Sequence, residues 1–299
     1  MDNNVQNDNK ARLFEFIFGR EKNKKWTLSL YNAVNGTHYD NVDDIEITTI
    51  ENVIYMSGKN DVSFLINDDI SLYEHQSTYN PNMPVRQLMY LGKLYDKHIK
   101  KTNQNLYSSK QMVLPVPKLI TFYNGKDDKG DQILQLSDSF PKGREPKESD
   151  VEVKVHMINI RPQYKSSILE NCKPLSEYSW FVEEIRKNNE TMEIGPSVDK
   201  AIDDMPTDYE LKEFLVIHKA EVRNMSITEY NEEETMKLFA AEYLAEGREQ
   251  GREEGAAQKQ YENVVRMLGR HKSIEDIAAD LDVSVDYVKQ IEAEMLAKV

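Results

Sequence analysis

The chain has one cysteine, Cys172, among 299 residues. No intrachain disulfide is open to it, which suits a reducing compartment. The thiol has no evident base partner in the sequence and reads as a core residue rather than a nucleophile. Long apolar runs are also missing. No stretch approaches the roughly 20 residues of a helical membrane span, and the opening MDNNVQNDNKAR has no apolar segment of the signal-peptide kind. A soluble, cytoplasmic protein without membrane partners is the expectation. Positive charge is scarce: 38 Lys and Arg face 52 Asp and Glu, a net of −14. Such a chain can hold nucleic acid only where its basic residues concentrate locally. The six histidines never form HExxH, which argues against a zinc hydrolase. No clear third acidic residue has the spacing of a DDE-type transposase.

What is present is ordinary globular material, 39% apolar and 30% charged, long enough for one large domain or two modest ones. Residues 1–9 read as a disordered tail. Apolar spacing predicts helices over 10–18 and 26–34, the second closed by Asn35-Gly36. The period then changes. Residues 52–56, 61–66 and 70–76 are rich in β-branched and aromatic residues and read as strands, separated by Ser57-Gly58-Lys59-Asn60 and Asn67-Asp68-Asp69. Residues 84–100 return to helical spacing, with Pro84 near the start and Leu88, Leu91 and Tyr95 as an apolar stripe. Residues 118–123 form a strand ended by Asn124-Gly125. The order over 26–123 is α-β-β-β-α-β. Further strands are predicted at 131–137 and 151–160, and helices at 175–187, 198–205, 208–220 and 228–246.

The C-terminal part differs. Residues 246–255, EGREQGREEG, place Gly247, Gly251 and Gly255 every four positions. Glycine lowers helix stability, so this stretch reads as a hinge-like linker. Two short helices follow, 273–281 and 284–293, with Ser273 and Asp276 resembling a capping box. From 231 onward 16 acidic residues face 9 basic ones. The would-be reading helix SVDYVKQIEAEM sets Asp286, Glu292 and Glu294 against Lys289, a poor surface for a DNA groove. Packing, or self-association into a homo-oligomer, is the favoured reading of this helix pair.

The third predicted strand raises the chemical question. Glu74 and Gln76 share one face of a strand whose neighbours ask for burial. If Asn67-Asp68 forms a two-residue turn, Asp61 lies directly opposite Glu74, Ser63 opposite Leu72 and Leu65 opposite Ile70. A three-residue turn would instead set Asp61 opposite His75. Two carboxylates about 5 Å apart repel unless one is protonated or a cation lies between them. Oxygen ligands of this kind suit Mg²⁺, which lowers the pKa of a bound water and stabilises charge on a phosphoryl oxygen. Gln76 cannot act as a base, but its amide can orient water or phosphate. The competing reading is an ordinary charged hairpin edge. Residues 84–118 hold seven basic residues, Arg86, Lys93, Lys97, Lys100, Lys101, Lys110 and Lys118, against Asp96 alone. Tyr79 and Tyr90 could add stacking or phosphate contacts, with packing or plain surface as the alternative for Arg86 and Tyr90. His75, of opposite parity, is expected to pack. Glu46 and Glu51 are further carboxylates just upstream.

The α-β-β-β-α-β order, with Asp at the start of the second strand and Glu-x-Lys or Glu-x-Gln on the third, resembles the PD-(D/E)XK nuclease superfamily. More closely, KNDVSFLI, SLYEHQSTYNPNMPVRQLMY, PKLITFYNG and HKAEVRNM resemble the Rpn family of recombination-promoting nucleases, also described as transposases. The likeness covers about residues 12–245 and is most specific over 59–90. It implies a mixed α/β fold with a PD-(D/E)XK-like core over 10–160, a mainly helical region over 161–245 packed on it, and a helical linker with a two-helix extension over 246–299. It further implies a Mg²⁺-dependent DNA endonuclease, with Mn²⁺ as a substitute. Asp61 and Glu74 are then metal ligands and Gln76 takes the usual lysine's position. That exchange is normal in this subgroup, but it removes a positive charge that elsewhere stabilises the attacking hydroxide. Arg86, Tyr90, Lys93 and Lys97 are then the DNA-facing residues.

Overall fold

A three-residue strand, β1 (Ile45–Ile47), opens a six-stranded mixed sheet in the computed structural model, which describes residues 13–48 and 61–296. The side chains of 61, 232–247, 249, 250, 253, 254 and 296 lie outside that description. Strand β2 (Asp61–Ile66) turns into β3 (Asp69–Gln76) through Asn67, whose φ of 50° is the left-handed conformation Asn tolerates. The two-residue turn sets the antiparallel register: Asp61 opposite Glu74, Ser63 opposite Leu72, Leu65 opposite Ile70. β1 adds antiparallel to β2, with Glu46 beside Leu65. β4 (Val116–Tyr123) runs parallel to β3, and β6 (Lys154–Asn159) parallel to β4. β5 (Gln132–Gln135) closes the order β1-β2-β3-β4-β6-β5 antiparallel to β6. The strand predicted at 52–56, Glu51 and the expected tail at 1–9 lie outside the described residues.

Strand alternation divides the core in two. Val62, Phe64, Tyr73, Ile120 and Phe122 point to one face. There they meet α1 (Leu13–Phe18), α2 (Lys24–Asn35), α4 (Ser167–Asn171), α5 (Lys173–Asn188), α6 (Ile194–Asp204) and α7 (Glu210–Ile217). Gly36 ends α2 at φ 64°, a conformation that favours glycine. Buried Glu177 on α5 accepts the backbone N–H groups of Glu210 and Leu211 at 3.0 and 2.9 Å, satisfying donors that the start of α7 leaves open. Burial pushes the Glu177 carboxyl above its ordinary pKa.

The other face carries Ile70, Leu72, Leu119, Tyr123, Val155 and Met157. It is covered by α3 (Met83–Lys101), the helix that crosses over between parallel β3 and β4. The predicted stripe is rotated slightly from the real one. Met83, Gln87, Tyr90, Leu91 and Leu94 are buried, whereas Leu88 and Tyr95 are only partly so.

The chain divides into two units, Met1–Glu233 and Glu234–Val299, earlier than the division drawn at 246. The single helix predicted over 208–220 is broken at His218, and α8 (Lys219–Leu268) follows. The glycine repeat lies inside α8, so the hinge reading is corrected: 246–255 is helical. A Cβ at Gly251 or Gly255 would meet nothing within 4 Å, and neighbouring Glu, Arg, Gln and Ala are good helix formers. In the second unit the end of α8, α9 (Ile274–Leu281) and α10 (Val285–Leu296) pack around Val264, Ile277, Val288 and Ile291. Ser273 Oγ accepts Asp276 N–H at 3.2 Å at the start of α9, and Asp282 makes the turn at φ 50°. Among the described residues no helix is long and apolar enough to cross a membrane.

Candidate functional site

Glu74 lies near the carboxyl end of β3, and the pleat aims it at the face that α3 covers. Its side chain is 1% exposed. A carboxylate this deep needs a compensating cation or hydrogen bonds. Arg86 supplies one: its Nη2 lies 2.7 Å from Glu74 Oε1, and the Arg86 side chain is 33% exposed. Gln76, buried on the same face, donates its Nε2 to the same Oε1 at 3.3 Å and also reaches Met83 Sδ. Backbone register sets Asp61 against Glu74 from the neighbouring strand; the Asp61 side chain is outside the described residues. Glu46, by contrast, stands beside Leu65 near the turn end of the hairpin. At about 3.4 Å per residue the four residues from Leu65 to Asp61 put it roughly 14 Å along the strand from the Asp61–Glu74 pair. Glu46 is also paired with Lys101 at 2.5 Å, so it belongs to a different part of the sheet.

One polar residue of the site was not singled out by sequence reasoning. Gln87, fully buried on α3, donates its Nε2 to Ile120 O at 3.1 Å and to Thr121 Oγ1 at 3.3 Å. Thr121 is the β4 partner of Glu74 in the parallel register. Gln87 therefore ties α3 to the strand next to the carboxylate and fixes the helix turn that carries Arg86. The available signal was an amide at an apolar position of the helix, between Met83 and Tyr90. His75, as its strand parity predicts, points to the opposite face. It stacks on Phe14 with centroids 5.5 Å apart and lies 3.3 Å from the Tyr178 hydroxyl. Cys172 is buried, and desolvation pushes its thiol pKa up, as befits a core residue.

Not every residue read as DNA-facing is at the surface. Tyr90 is 2% exposed and sits in the core under α3 with Leu91 and Leu94. It is therefore corrected from a surface contact to a packing residue. Lys97 Nζ donates to Thr48 O at 3.1 Å. Lys100 pairs with Asp96 at 2.6 Å and Lys118 with Asp69 at 3.9 Å. Together with Arg86–Glu74 and Lys101–Glu46, these pairs neutralise much of the charge that the sequence concentrates between 84 and 118. Lys93 is exposed and forms no ion pair among the described residues. Tyr79, beyond the end of β3, holds Lys129 Nζ over its ring at 4.6 Å and meets Tyr123 edge-on at 6.5 Å. Gly125 closes this end tightly, because a Cβ there would collide with the Tyr123 hydroxyl and Ser77 O.

The donor chemistry fits a hard divalent cation. Glu74 offers a carboxylate and the register places a second acid opposite it, while Gln76 turns its amide N–H toward that carboxylate. Among the described residues no imidazole or thiol joins them, since His75 belongs to the other face and Cys172 to the other core. Among the described residues no group of three or more His, Cys, Asp or Glu forms a metal cluster. Comparison with protein-family models, with curated proteins and with solved structures finds no match for this chain.

Proposed function

We propose that the chain is a metal-dependent DNA endonuclease of the PD-(D/E)XK type, hydrolysing phosphodiester bonds in a setting of DNA recombination or mobile elements. The observation that carries this reading is the hairpin register. It sets Asp61 against Glu74, with Gln76 next on the same face, under the one helix that sequence reasoning associates with phosphate. Asp61 and Glu74 would hold Mg²⁺ or Mn²⁺. Bound there, the cation would supply water of lowered pKa and neutralise charge on a phosphate oxygen. The protein's own groups do the rest. Gln76 positions a water or a phosphate oxygen through its amide. Gln87 and Thr121 hold α3 in place above the carboxylate. Exposed Lys93 and the outer part of Arg86 face solvent, from which a DNA backbone approaches.

A second reading has its own support. The Arg86–Glu74 pair, the amide where the superfamily has lysine, and the paired lysines of α3 suit a nuclease-like protein that binds DNA without cutting it efficiently. Supercoiled-plasmid cleavage with Mg²⁺, Mn²⁺, Ca²⁺ or EDTA separates the two. Nicking by wild type with Mg²⁺ or Mn²⁺, abolished by EDTA, Asp61→Ala and Glu74→Ala, is expected of the endonuclease. Retardation of DNA without nicking under any metal supports the binding protein. Neither cutting nor binding overturns both.

A further inference from the structure

We propose that Arg86 is a resident counter-ion of Glu74 that a divalent cation must displace, and that its displacement frees the guanidinium for a substrate phosphate. This rests on the reading of Glu74 as a metal ligand.

Three observations lead there. First, the contact is on the atom a cation would use: Arg86 Nη2 lies 2.7 Å from Glu74 Oε1, on a carboxylate otherwise sealed from water. A guanidinium and a divalent cation on one oxygen repel each other, so the two occupancies compete. Second, Arg86 is badly placed for its own helix. It lies in the first turn of α3, which holds no acidic residue, and its N–H bonds back to Asn82 O. A cation near the positive end of the helix dipole is unfavourable, so the position is explained by Glu74 and not by α3. Third, the arginine can leave. Its side chain is one-third exposed while Glu74 is buried, so the guanidinium sits at the solvent border on a long flexible stem. Gln76 Nε2, on the same Oε1 at 3.3 Å, belongs to a neutral amide and sets up no such charge conflict.

The arrangement gives the buried carboxylate a charged partner and a fixed place without metal. It also couples the two ligands: cation entry turns Arg86 outward, and a phosphate that captures Arg86 vacates Glu74 for the cation. Arginine suits this exchange because its planar fork fits carboxylate and phosphate alike.

The test is Mn²⁺ binding by the full chain, read from the electron paramagnetic resonance signal of free Mn²⁺. Wild type is compared with Arg86→Met, which keeps the stem and removes the charge, with Arg86→Lys and with Glu74→Gln. Tryptophan fluorescence verifies that each variant is folded. Arg86→Met is expected to bind Mn²⁺ at least about tenfold more tightly than wild type, Arg86→Lys to lie between them, and Glu74→Gln to lose the site. A gain in affinity is a result that structural damage does not produce. Equal or weaker binding by folded Arg86→Met, with the site still lost in Glu74→Gln, overturns the counter-ion proposal and leaves the metal site standing. Binding unaffected by Glu74→Gln, or absent from wild type and Arg86→Met alike, overturns both. Should Arg86→Met not fold, Arg86→Lys decides alone, since tighter binding than wild type is still required of it.

Discussion

Replacing Tyr90 by alanine separates a packing residue from a DNA contact. An aromatic side chain taken out of water removes roughly 150–250 Å² of surface. At about 25 cal/mol per Å² that is about 4–6 kcal/mol, an upper bound because the unfolded chain already covers part of the area. Measured aromatic-to-alanine truncations in cores cost about 3–5 kcal/mol, cavity included. Tyr90 is 2% exposed and sits among Leu91, Leu94 and the Ile70–Leu72 face of the sheet. Tyr90→Ala should therefore cost the first unit about 3–4 kcal/mol, a fall in Tm of roughly 10 °C for a unit of this size. The two tryptophans, Trp26 and Trp180, both lie in that unit, so their fluorescence during urea unfolding reports on it without interference from the second. Lys93→Ala, one helical turn away and exposed, should change stability by no more than about 0.5 kcal/mol. A loss below about 1 kcal/mol in Tyr90→Ala, accompanied by weaker DNA retention, would refute the argument and return Tyr90 to the surface.

Gly251→Ala and Gly255→Ala should each stabilise α8 by roughly 0.5–1 kcal/mol, since neither new methyl meets an atom within 4 Å; a lower thermal midpoint for the double variant by circular dichroism would show that the glycines serve a close contact after all. Burial, reinforced by Asp69 at 2.8 Å, holds the Tyr31 phenol above its ordinary pKa, and burial does the same for Tyr73. The folded-state values are raised, so this contribution to stability is complete below the ordinary phenol pKa of about 10 and is lost as pH rises beyond it. Ultraviolet phenolate titration should show a lagging fraction of tyrosines that ionises only with unfolding, and a single unshifted transition would contradict the burial of these two rings.

The hairpin was legible because its determinants are local. Asn67-Asp68 permits one short turn, and the alternation of Leu65, Ser63 and Asp61 against Ile70, Leu72 and Glu74 then fixes the register. The break from period two to helical spacing at α3 was equally visible. β1 was not, because Ile45–Ile47 is three residues long, carries Glu46, and is a strand only by virtue of its pairing with β2. The continuity of α8 through the glycines was missed because a per-residue penalty was weighed without the strong helix formers around it. The Arg86–Glu74 pair could not be read at all. It depends on how α3 is rotated over the sheet, and that rotation is set by Met83, Gln87, Tyr90, Leu91 and Leu94, a stripe displaced from the one that Leu88, Leu91 and Tyr95 suggest.

The crossover between β3 and β4 has a consequence for how the protein assembles. Asp61 and Glu74 meet across a two-residue turn, an encounter of the kind that takes about 1–10 μs. Seating Arg86 and Gln87 requires α3 to dock while β4 aligns in parallel beside β3, a non-local pairing that carries a larger loop-closure cost and proceeds more slowly. The hairpin register that sets Asp61 against Glu74 is thus expected to form before α3 covers it. If Asp61 and Glu74 hold a divalent cation as proposed, a cation present at that stage would meet them without Arg86 in the way, so refolding in the presence of metal and adding metal to the finished protein would be kinetically different experiments.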